Sequence, residues 1–201
     1  MRRIVAFNRV TADGYFATPD GKLDFAVPDD EVDQAGAAGI PEADTILFGR
    51  KTYDAFESFW PHALDDAKTA RDPHTVGRHS PAMREMAVFI NAAKKVVFSR
   101  TRKEVAWKNS ELVRDFDPEK IEAIKRAPGK AIMIFGSGQI TSQLTQHGLI
   151  DDYLFVLTPV LLGSGRSLVS GVTQRLPLVL AEVKQYRTGN VTLHYTRRDQ
   201  V

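Results

Sequence analysis

The hydrophobic positions along the chain alternate between short apolar runs and amphipathic segments. Residues 45–49, 96–98 and 132–135 are almost wholly apolar. Runs of this length without polar alternation are typical of strands that are covered on both faces of a sheet. Directly after the first run, Tyr53, Phe56 and Trp60 recur at helical spacing, and Pro61 ends the pattern. This alternation predicts an α/β fold in which helices cover a mostly parallel sheet.

Capping residues mark where two of the helices begin and where another ends. Ser80 precedes Pro81 and Asp117 precedes Pro118, so that in each case a capping side chain comes before a proline at the first helical position. Gly148 follows the amphipathic segment after the third apolar run and is typical of a helix C-terminus. We therefore predict helices that start at residues 81 and 118 and one that ends near residue 148.

The two ends of the chain are predicted to be β-rich. Residues 2–10 are predicted to form the first strand. Further strands are predicted over residues 153–162, 178–185 and 191–196, with the last two joined by a Gly189-Asn190 turn. The polar stretch 62–79 lies between apolar strands and is predicted to be a loop insertion, not a linker. We expect one domain over residues 1–201, a three-layer αβα fold whose mixed, mostly parallel sheet ends in an antiparallel hairpin.

Composition limits the classes of function. The 27 Lys and Arg and the 25 Asp and Glu leave a net charge of +2, with no basic tract for nucleic acid. The absence of cysteine excludes disulfides, a thiol nucleophile and Cys-based metal sites, and it fits a reducing cytoplasm. No apolar run approaches the length of a membrane span. The spacing of His62, His74 and His79 matches no metal-ligand motif, so we expect no metal site. From the charge distribution and the short apolar runs we also expect neither nucleic acid nor a membrane as a partner.

Three of the predicted strands end in residues that suit an anion. Ligands of open α/β sheets bind at the carboxyl ends of the strands. The first end runs into a helix N-terminus, where two cations oppose the helix dipole unless an anion binds; solvated surface charges are the alternative. The second places a hydroxyl beside a guanidinium, and the third is a glycine turn before a helix. In chain order these residues are Gly49, Arg50, Lys51 and Thr52; Ser99, Arg100 and Thr101; and Gly136, Ser137, Gly138, Gln139 and Ile140.

The glycine turn does not satisfy the usual dinucleotide fingerprint. Thr141 occupies the third glycine position, and no acidic residue ends a following strand about twenty residues later. Ser137 lies between glycines, but the pattern of a nucleophile elbow is not met. What remains is a glycine turn that lets a pyrophosphate approach a helix N-terminus.

Taken together and in order, these strand ends resemble the dihydrofolate reductase fold. The chain is most similar to the reductase family named after the C-terminal half of the bifunctional riboflavin deaminase–reductase. Further matching stretches are residues 11–15, 148–152 and 158–165, so that the resemblance covers nearly the whole chain. It implies NADPH as the hydride donor and a homodimer.

The resemblance also assigns roles to residues. The turns that begin at Gly49 and Gly136 would cradle the pyrophosphate, and Ser99 and Arg100, with Thr101 beside them, would contact the 2′-phosphate. Phe25 would line the nicotinamide side of the cleft. Riboflavin reductases usually carry a carboxylate where this chain has Phe135, which argues against a riboflavin-pathway substrate.

Two carboxylates are candidates for the substrate pocket. The resemblance implies that Asp13 lies at the mouth of the cleft and orients the substrate or supplies a proton, although the first residue of an Asp-Gly turn needs no function. Asp30 would correspond to the helix carboxylate that assists protonation in dihydrofolate reductases. We therefore expect an NADPH-dependent reductase of a small heterocycle or conjugated carbonyl compound. The alternative is an NADPH-binding protein without reductase turnover.

Overall fold

The computed structural model describes residues 1–26, 29–38, 43–64 and 80–198, without the side chains of residues 37 and 38. Within these ranges the chain forms five α-helices and ten strands. The helices are α1 (Asp30–Ala38), α2 (Arg50–Phe59), α3 (Pro81–Ala92), α4 (Pro118–Arg126) and α5 (Gly138–Gln146). The strands are β1 (Ile4–Thr11), β2 (Tyr15–Ala17), β3 (Ala43–Gly49), β4 (Lys94–Phe98), β5 (Ser110–Val113), β6 (Ala131–Phe135), β7 (Asp152–Thr158), β8 (Arg166–Ser167), β9 (Leu178–Gln185) and β10 (Val191–Arg197).

Eight of these strands form one sheet in the order β5-β4-β3-β6-β1-β7-β10-β9. Neighbouring strands are parallel from β5 to β7, whereas β10 is antiparallel to both β7 and β9. The other two strands, β2 and β8, pair in a small antiparallel ribbon. The predicted mixed sheet, mostly parallel with a C-terminal antiparallel hairpin, is therefore confirmed.

The two faces of the sheet bury different sets of side chains. Helices α2 and α3 cover one face, where Phe56 and Ile90 pack with Ile46 of β3, and Val32 of α1 packs on the same side against Val156. Helices α4 and α5 cover the other face, where Leu144 packs with Leu47. Successive residues of β3 point to opposite faces because side chains alternate along a strand. This explains why both Ile46 and Leu47 are fully buried and why the run reads as continuously apolar.

The predicted helix ends are confirmed. The Ser80 hydroxyl accepts a hydrogen bond from the Met83 amide at 3.2 Å, and the Asp117 carboxylate accepts one from the Glu119 amide at 3.0 Å. Gly148 has a φ of +62°, the left-handed conformation that ends helices and favours glycine.

One predicted strand is too long, and several elements were not predicted. The strand predicted over 153–162 ends at Thr158, because Pro159 has no N–H to continue the ladder. Helix α1 escaped prediction since Val32 is its one large apolar residue. Strand β5 is only four residues long, and its pattern gives too few positions to judge.

Most of the predicted 62–79 insertion lies outside the described residues, and so do His74 and His79. A 3-10 turn, Trp60–His62, opens this stretch, and β3 and β4 on either side of it are neighbours in the sheet. In the described ranges no group of His, Asp or Glu side chains could hold a metal ion. Among the described helices, none has both the length and the apolar character needed to cross a membrane.

Lys95 lies in the interior, near the start of β4. Its side chain is fully buried, and its ammonium group donates to the main-chain carbonyls of Asn91, Ala93 and Lys108 at 3.2, 2.9 and 3.1 Å. The ammonium nitrogen also lies 4.5 Å from the centre of the Trp107 ring. Burial lowers the pKa of Lys95 to about 8.

We expect this buried lysine to make stability depend on pH. Between pH 8 and 10.5 the unfolded lysine holds its proton and the folded one has lost it, so the unfolding free energy rises with pH. Relative to Lys95→Met, the wild type should gain about 3 kcal/mol across this window. Urea unfolding of both proteins at several pH values from 7 to 10.5 measures the difference. A difference that does not change with pH contradicts the prediction.

Candidate functional site

A cleft of about 990 Å³ runs along the carboxyl ends of the parallel strands. Its walls include residues that follow β3, β4, β5 and β6 and the last half of β1. Neighbouring strands lie about 4.8 Å apart, so the three steps from β4 to β1 span roughly 14 Å. The cleft therefore suits an elongated ligand.

The glycine turn after β6 forms the middle of this cleft. Gly136 and Ser137 have φ values of +55° and +51°, both left-handed. The Ser137 hydroxyl accepts a hydrogen bond from the Gly49 amide at 3.1 Å, and the Thr141 hydroxyl donates to the Gly136 carbonyl at 3.0 Å. The first bond fixes the turn after β6 against the turn after β3, although the two residues are 88 positions apart in the chain, and the second closes the turn after β6 itself.

Two helix N-termini open onto the same part of the cleft. Neither α2 nor α5 has a side-chain cap or an acidic residue in its first turn. Arg50 and Lys51 lie in the first turn of α2, where Arg50 pairs with Asp54 at 3.0 Å. Exposed amide donors together with positive charge are suited to bind a phosphate group.

Gly138 is required at the start of α5 by the approach of an aromatic ring. A Cβ atom on Gly138 would lie 2.4 Å from the edge of the Phe16 ring, closer than real contacts allow. Phe16 belongs to β2 and lines the cleft. The small β2–β8 ribbon thus places an aromatic ring over the glycine turn.

One end of the cleft is cationic. Arg100 is mostly exposed and pairs with Asp115 at 3.0 Å, while Arg114 donates to the carbonyl of Lys103 at 3.0 Å. Both arginines line the cleft, as does Thr101. Arg114 was not found from the sequence because it follows β5, the strand that the pattern missed.

Ser99 holds the loop that follows β4 at the cationic end of the cleft. Its side chain is buried, and the hydroxyl oxygen accepts hydrogen bonds from the amides of Thr101 and Arg102 at 3.3 and 3.0 Å. The guanidinium of Arg102 is in turn held at 2.7 Å by both Asp54 and Glu57 of α2. The loop that carries Arg100 is therefore fixed to α2.

The opposite end is an apolar chamber between the sheet and α1, α2 and α3. The rings of Phe7 and Phe56 lie 6.0 and 5.9 Å from that of Phe135. The apolar residues that line this chamber are Phe7, Val32, Phe56, Trp60, Met83, Met86, Ile90 and Phe135.

An ion pair lines the cleft at this end. Arg9 of β1 donates to the carboxylate of Asp33 on α1 at 2.9 Å, and their side chains are 12% and 27% exposed. The sequence pattern singled out neither residue, because the pairing depends on α1, which was not predicted.

Most of the residues predicted to bind a cofactor come together in the cleft. The twelve that line it follow three different strands: Gly49, Arg50, Lys51, Thr52, Ser99, Arg100, Thr101, Gly136, Ser137, Gly138, Gln139 and Ile140. Phe25, Asp13 and Asp30 are not among the lining residues.

The structure gives Asp13 a different part from the one expected. Its carboxylate accepts hydrogen bonds from the Leu162 and Gly163 amides at 3.0 and 2.7 Å and from the Thr11 hydroxyl at 2.6 Å. The Thr11 hydrogen bond, followed by those from the two amides, holds the pKa of Asp13 below its usual value. A proton donor at neutral pH needs a raised pKa, so the lowered pKa does not suit Asp13 to donate a proton, and its two amide contacts fix residues 162 and 163.

Asp30 and Phe25 are likewise displaced from the cleft. Val32, Asp33 and Gly36 share the face of α1 that lines the cleft, and Asp30 lies off this face on the exposed side. In the preceding loop, the lining residues end at Asp24, and Phe25 is buried. In both cases a neighbour a few positions away faces the cleft.

Comparison with known proteins gives a family. Residues 2–192 match the model of the family described as the RibD C-terminal domain. The chain is also 29% identical over 194 residues to YyaP of Bacillus subtilis, a protein of uncharacterised function, covering 96% of this chain and 94% of that protein.

Solved structures share the fold. A proposed riboflavin biosynthesis protein from Shewanella sp. PV-4 superposes with a TM-score of 0.72 at 23% identity, over 98% of this chain and 99% of that one. Dihydrofolate reductase from Enterococcus faecalis, in complex with NADP(H), gives a TM-score of 0.60 at 13% identity, over 98% and 97% of the two chains. The resemblance to the dihydrofolate reductase fold is confirmed.

Proposed function

This chain belongs to the RibD C-terminal domain family, and from that premise we propose that it is an NADPH-dependent reductase of a small planar heterocycle or conjugated carbonyl compound. One observation carries the proposal: a single continuous cleft joins a cationic, hydroxyl-rich end to an aromatic chamber through two uncapped helix N-termini. Along the cleft, the positively charged end, the helix N-termini and the aromatic chamber follow one another as the phosphates of a dinucleotide and then a flat substrate would require.

The residues along the cleft fit NADPH. The glycine turn and the first turns of α2 and α5 would hold the pyrophosphate, because Gly136 leaves room for close approach and the two helix N-termini have no side-chain caps. Arg100 and Arg114 would hold the 2′-phosphate with charge-assisted hydrogen bonds. When bound, NADPH supplies a hydride from its nicotinamide ring.

The chamber supports a substrate with an apolar, planar body. Phe135 packs against Phe7 and Phe56, so no carboxylate stands at this position to hold a substrate ribose. The polar contact would come instead from the Arg9–Asp33 pair. A carbonyl oxygen or ring nitrogen of the substrate is the partner that the Arg9 guanidinium suits.

Catalysis would rest on positioning and on Arg9. The apolar walls exclude water from the substrate and strengthen electrostatic interactions within the chamber. Arg9 would stabilise negative charge that develops on the acceptor as it is reduced, while Asp33 holds the guanidinium in place. The half-buried Asp33 lies where water can reach the site, and water would deliver the proton.

The test is consumption of NADPH, followed by its absorbance, with a panel of pterins, pyrimidines and conjugated carbonyl compounds. Turnover of any of them supports the reductase. Tight NADPH binding with no turnover across the panel favours the alternative, an NADPH-binding protein without reductase activity. Failure to bind NADPH at all overturns both.

We also propose a homodimer formed through the β9 edge. The late part of the chain is rich in apolar residues, of which Tyr153 and Val156 are buried whereas Leu161 is 75% exposed. Three further exposed apolar side chains lie together on the edge strand β9, where Val179, Leu180 and Val183 are 42%, 50% and 57% exposed. Strands at a sheet edge that carry exposed apolar residues pair readily with another chain.

Light scattering at micromolar concentration should therefore give twice the 22.4 kDa chain mass. Leu180→Glu combined with Val183→Lys should give the single-chain mass, because charge on this edge disfavours pairing. Val88→Glu, which changes an equally exposed valine on α3, should leave the dimer intact. A wild type of single-chain mass contradicts the proposal.

A further inference from the structure

Asn8 is a buried amide without a partner. Its residue is 1% exposed, and neither Nδ2 nor Oδ1 has a hydrogen-bond partner among the residues that the structure describes. Unpaired buried amides are rare because burial removes the hydrogen bonds that water would make. Such a group therefore calls for an explanation, and a ligand that completes it is one.

The position of Asn8 points to the cleft. Asn8 lies in the last half of β1 and lines the cleft. The adjacent residue, Phe7, pairs with Phe135 and accepts a hydrogen bond from the Gly136 amide at 3.1 Å, so Asn8 flanks the glycine turn. It shares a sheet face with Ala6, the face covered by α5, whereas Arg9 points to the opposite face and the substrate chamber.

The order of the strands tells which part of a dinucleotide would reach Asn8. The arginines proposed for the 2′-phosphate follow β4 and β5, and the pyrophosphate turns follow β3 and β6. The next strand is β1. An extended dinucleotide that begins at β4 and crosses β3 and β6 brings its nicotinamide end to β1.

We propose that the side-chain amide of Asn8 binds the carboxamide of the nicotinamide ring, donating to its oxygen and accepting from its NH₂. This inference rests on the proposed NADPH-binding function. Each amide offers one donor and one acceptor in the plane that the other needs. Both polar atoms of Asn8 are closed to water, so the proposed contact requires the side chain to turn about its own bonds toward the cleft when the ring enters. Its hydration has already been given up, which favours binding.

The experiment compares two ligands on Asn8→Leu, a change that keeps the number and branching of the side-chain heavy atoms and removes both polar atoms. NADPH should bind about 10- to 100-fold more weakly, while 2′-phospho-ADP-ribose, which lacks only the nicotinamide, should change less than about twofold. The ligand-free variant should also melt roughly 2–8 °C higher, because an unpaired buried amide is gone. If the Asn8 amide were hydrogen-bonded in the ligand-free protein, its replacement by leucine would lower the melting temperature instead.

Asn190 provides the matched control. It is fully buried as well, but its Nδ2 donates to Asp29 and Thr188 at 3.1 and 3.0 Å, and it does not line the cleft. Asn190→Leu should melt lower than the wild type and leave the ratio of the two affinities unchanged.

Three results would overturn the inference: equal losses for both ligands, no loss for either, or a lower melting temperature of ligand-free Asn8→Leu. If the leucine variant does not fold, Asn8→Ala serves the same comparison of ligands. A wild type that binds neither ligand refutes the proposed function itself, and this outcome is separate from a failure that is confined to Asn8.

Discussion

Replacing Arg100 and Arg114 together by alanine should weaken NADPH binding by about 100-fold and change NADH binding by less than about threefold. The two cofactors differ only in the 2′-phosphate. Hydrogen bonds to a charged group contribute about 1.5–3 kcal/mol each, and the low end applies here because both arginines are exposed and screened by solvent. Two such contacts give about 3 kcal/mol, which corresponds to about 100-fold in Kd.

Titration of both cofactors into wild type and variant measures this selectivity. The preference for NADPH should also decline as salt is raised, since salt screens exposed charge. Arg126→Ala is the matched control: Arg126 is an exposed arginine of α4, paired with Glu122 at 2.7 Å and outside the cleft lining. Equal losses for NADPH and NADH in the double variant would show that the arginines act through general charge and do not contact the 2′-phosphate.

The fold was predictable where local and tertiary signals agree. The buried strands β3, β4 and β6 are covered on both faces, so nearly every position must be apolar and the run stands out. The starts of α3 and α4 were predictable because capping is a local interaction. Helix α1 carries little apolar surface of its own, and among its described side chains only Val32 belongs to the hydrophobic core, so the sequence pattern was too weak to predict the helix.

For the candidate site, too, the residues that local sequence signals mark were predicted, and those that depend on tertiary contacts were not. The backbone turns at Gly49 and Gly136 were predicted from the sequence, because a glycine directly after an apolar run marks the end of a strand. Arg9 and Asp33 were missed because they meet only when α1 packs over β1, a contact between residues 24 positions apart. The resemblance places Asp13 at the mouth of the cleft, whereas its contact with the Leu162 and Gly163 amides is tertiary and does not follow from the Asp-Gly pair.

The position of Arg9 in the apolar chamber leads to a prediction about turnover. Arg9→Gln should lower kcat by about 100- to 1,000-fold with any substrate that the panel identifies, because one donor to developing negative charge is commonly worth that much. NADPH affinity should change less than about twofold, since Arg9 faces the chamber and not the phosphate turns. Asp33→Asn should lower kcat by a smaller factor, about tenfold, because Asp33 acts by holding Arg9. Steady-state kinetics and direct NADPH titration on the same preparations separate the two readouts.

Asp13→Asn is the comparison that decides between the two candidate carboxylates. The Asp13 side chain holds the Leu162 and Gly163 amides, and its lowered pKa keeps it ionised at neutral pH, so its replacement should leave kcat within about twofold. Circular dichroism of each variant confirms that turnover is compared between folded proteins. If Asp13→Asn abolishes turnover with NADPH affinity intact while Arg9→Gln does not, then the substrate is oriented from the Asp13 turn and the role given to Arg9 is wrong.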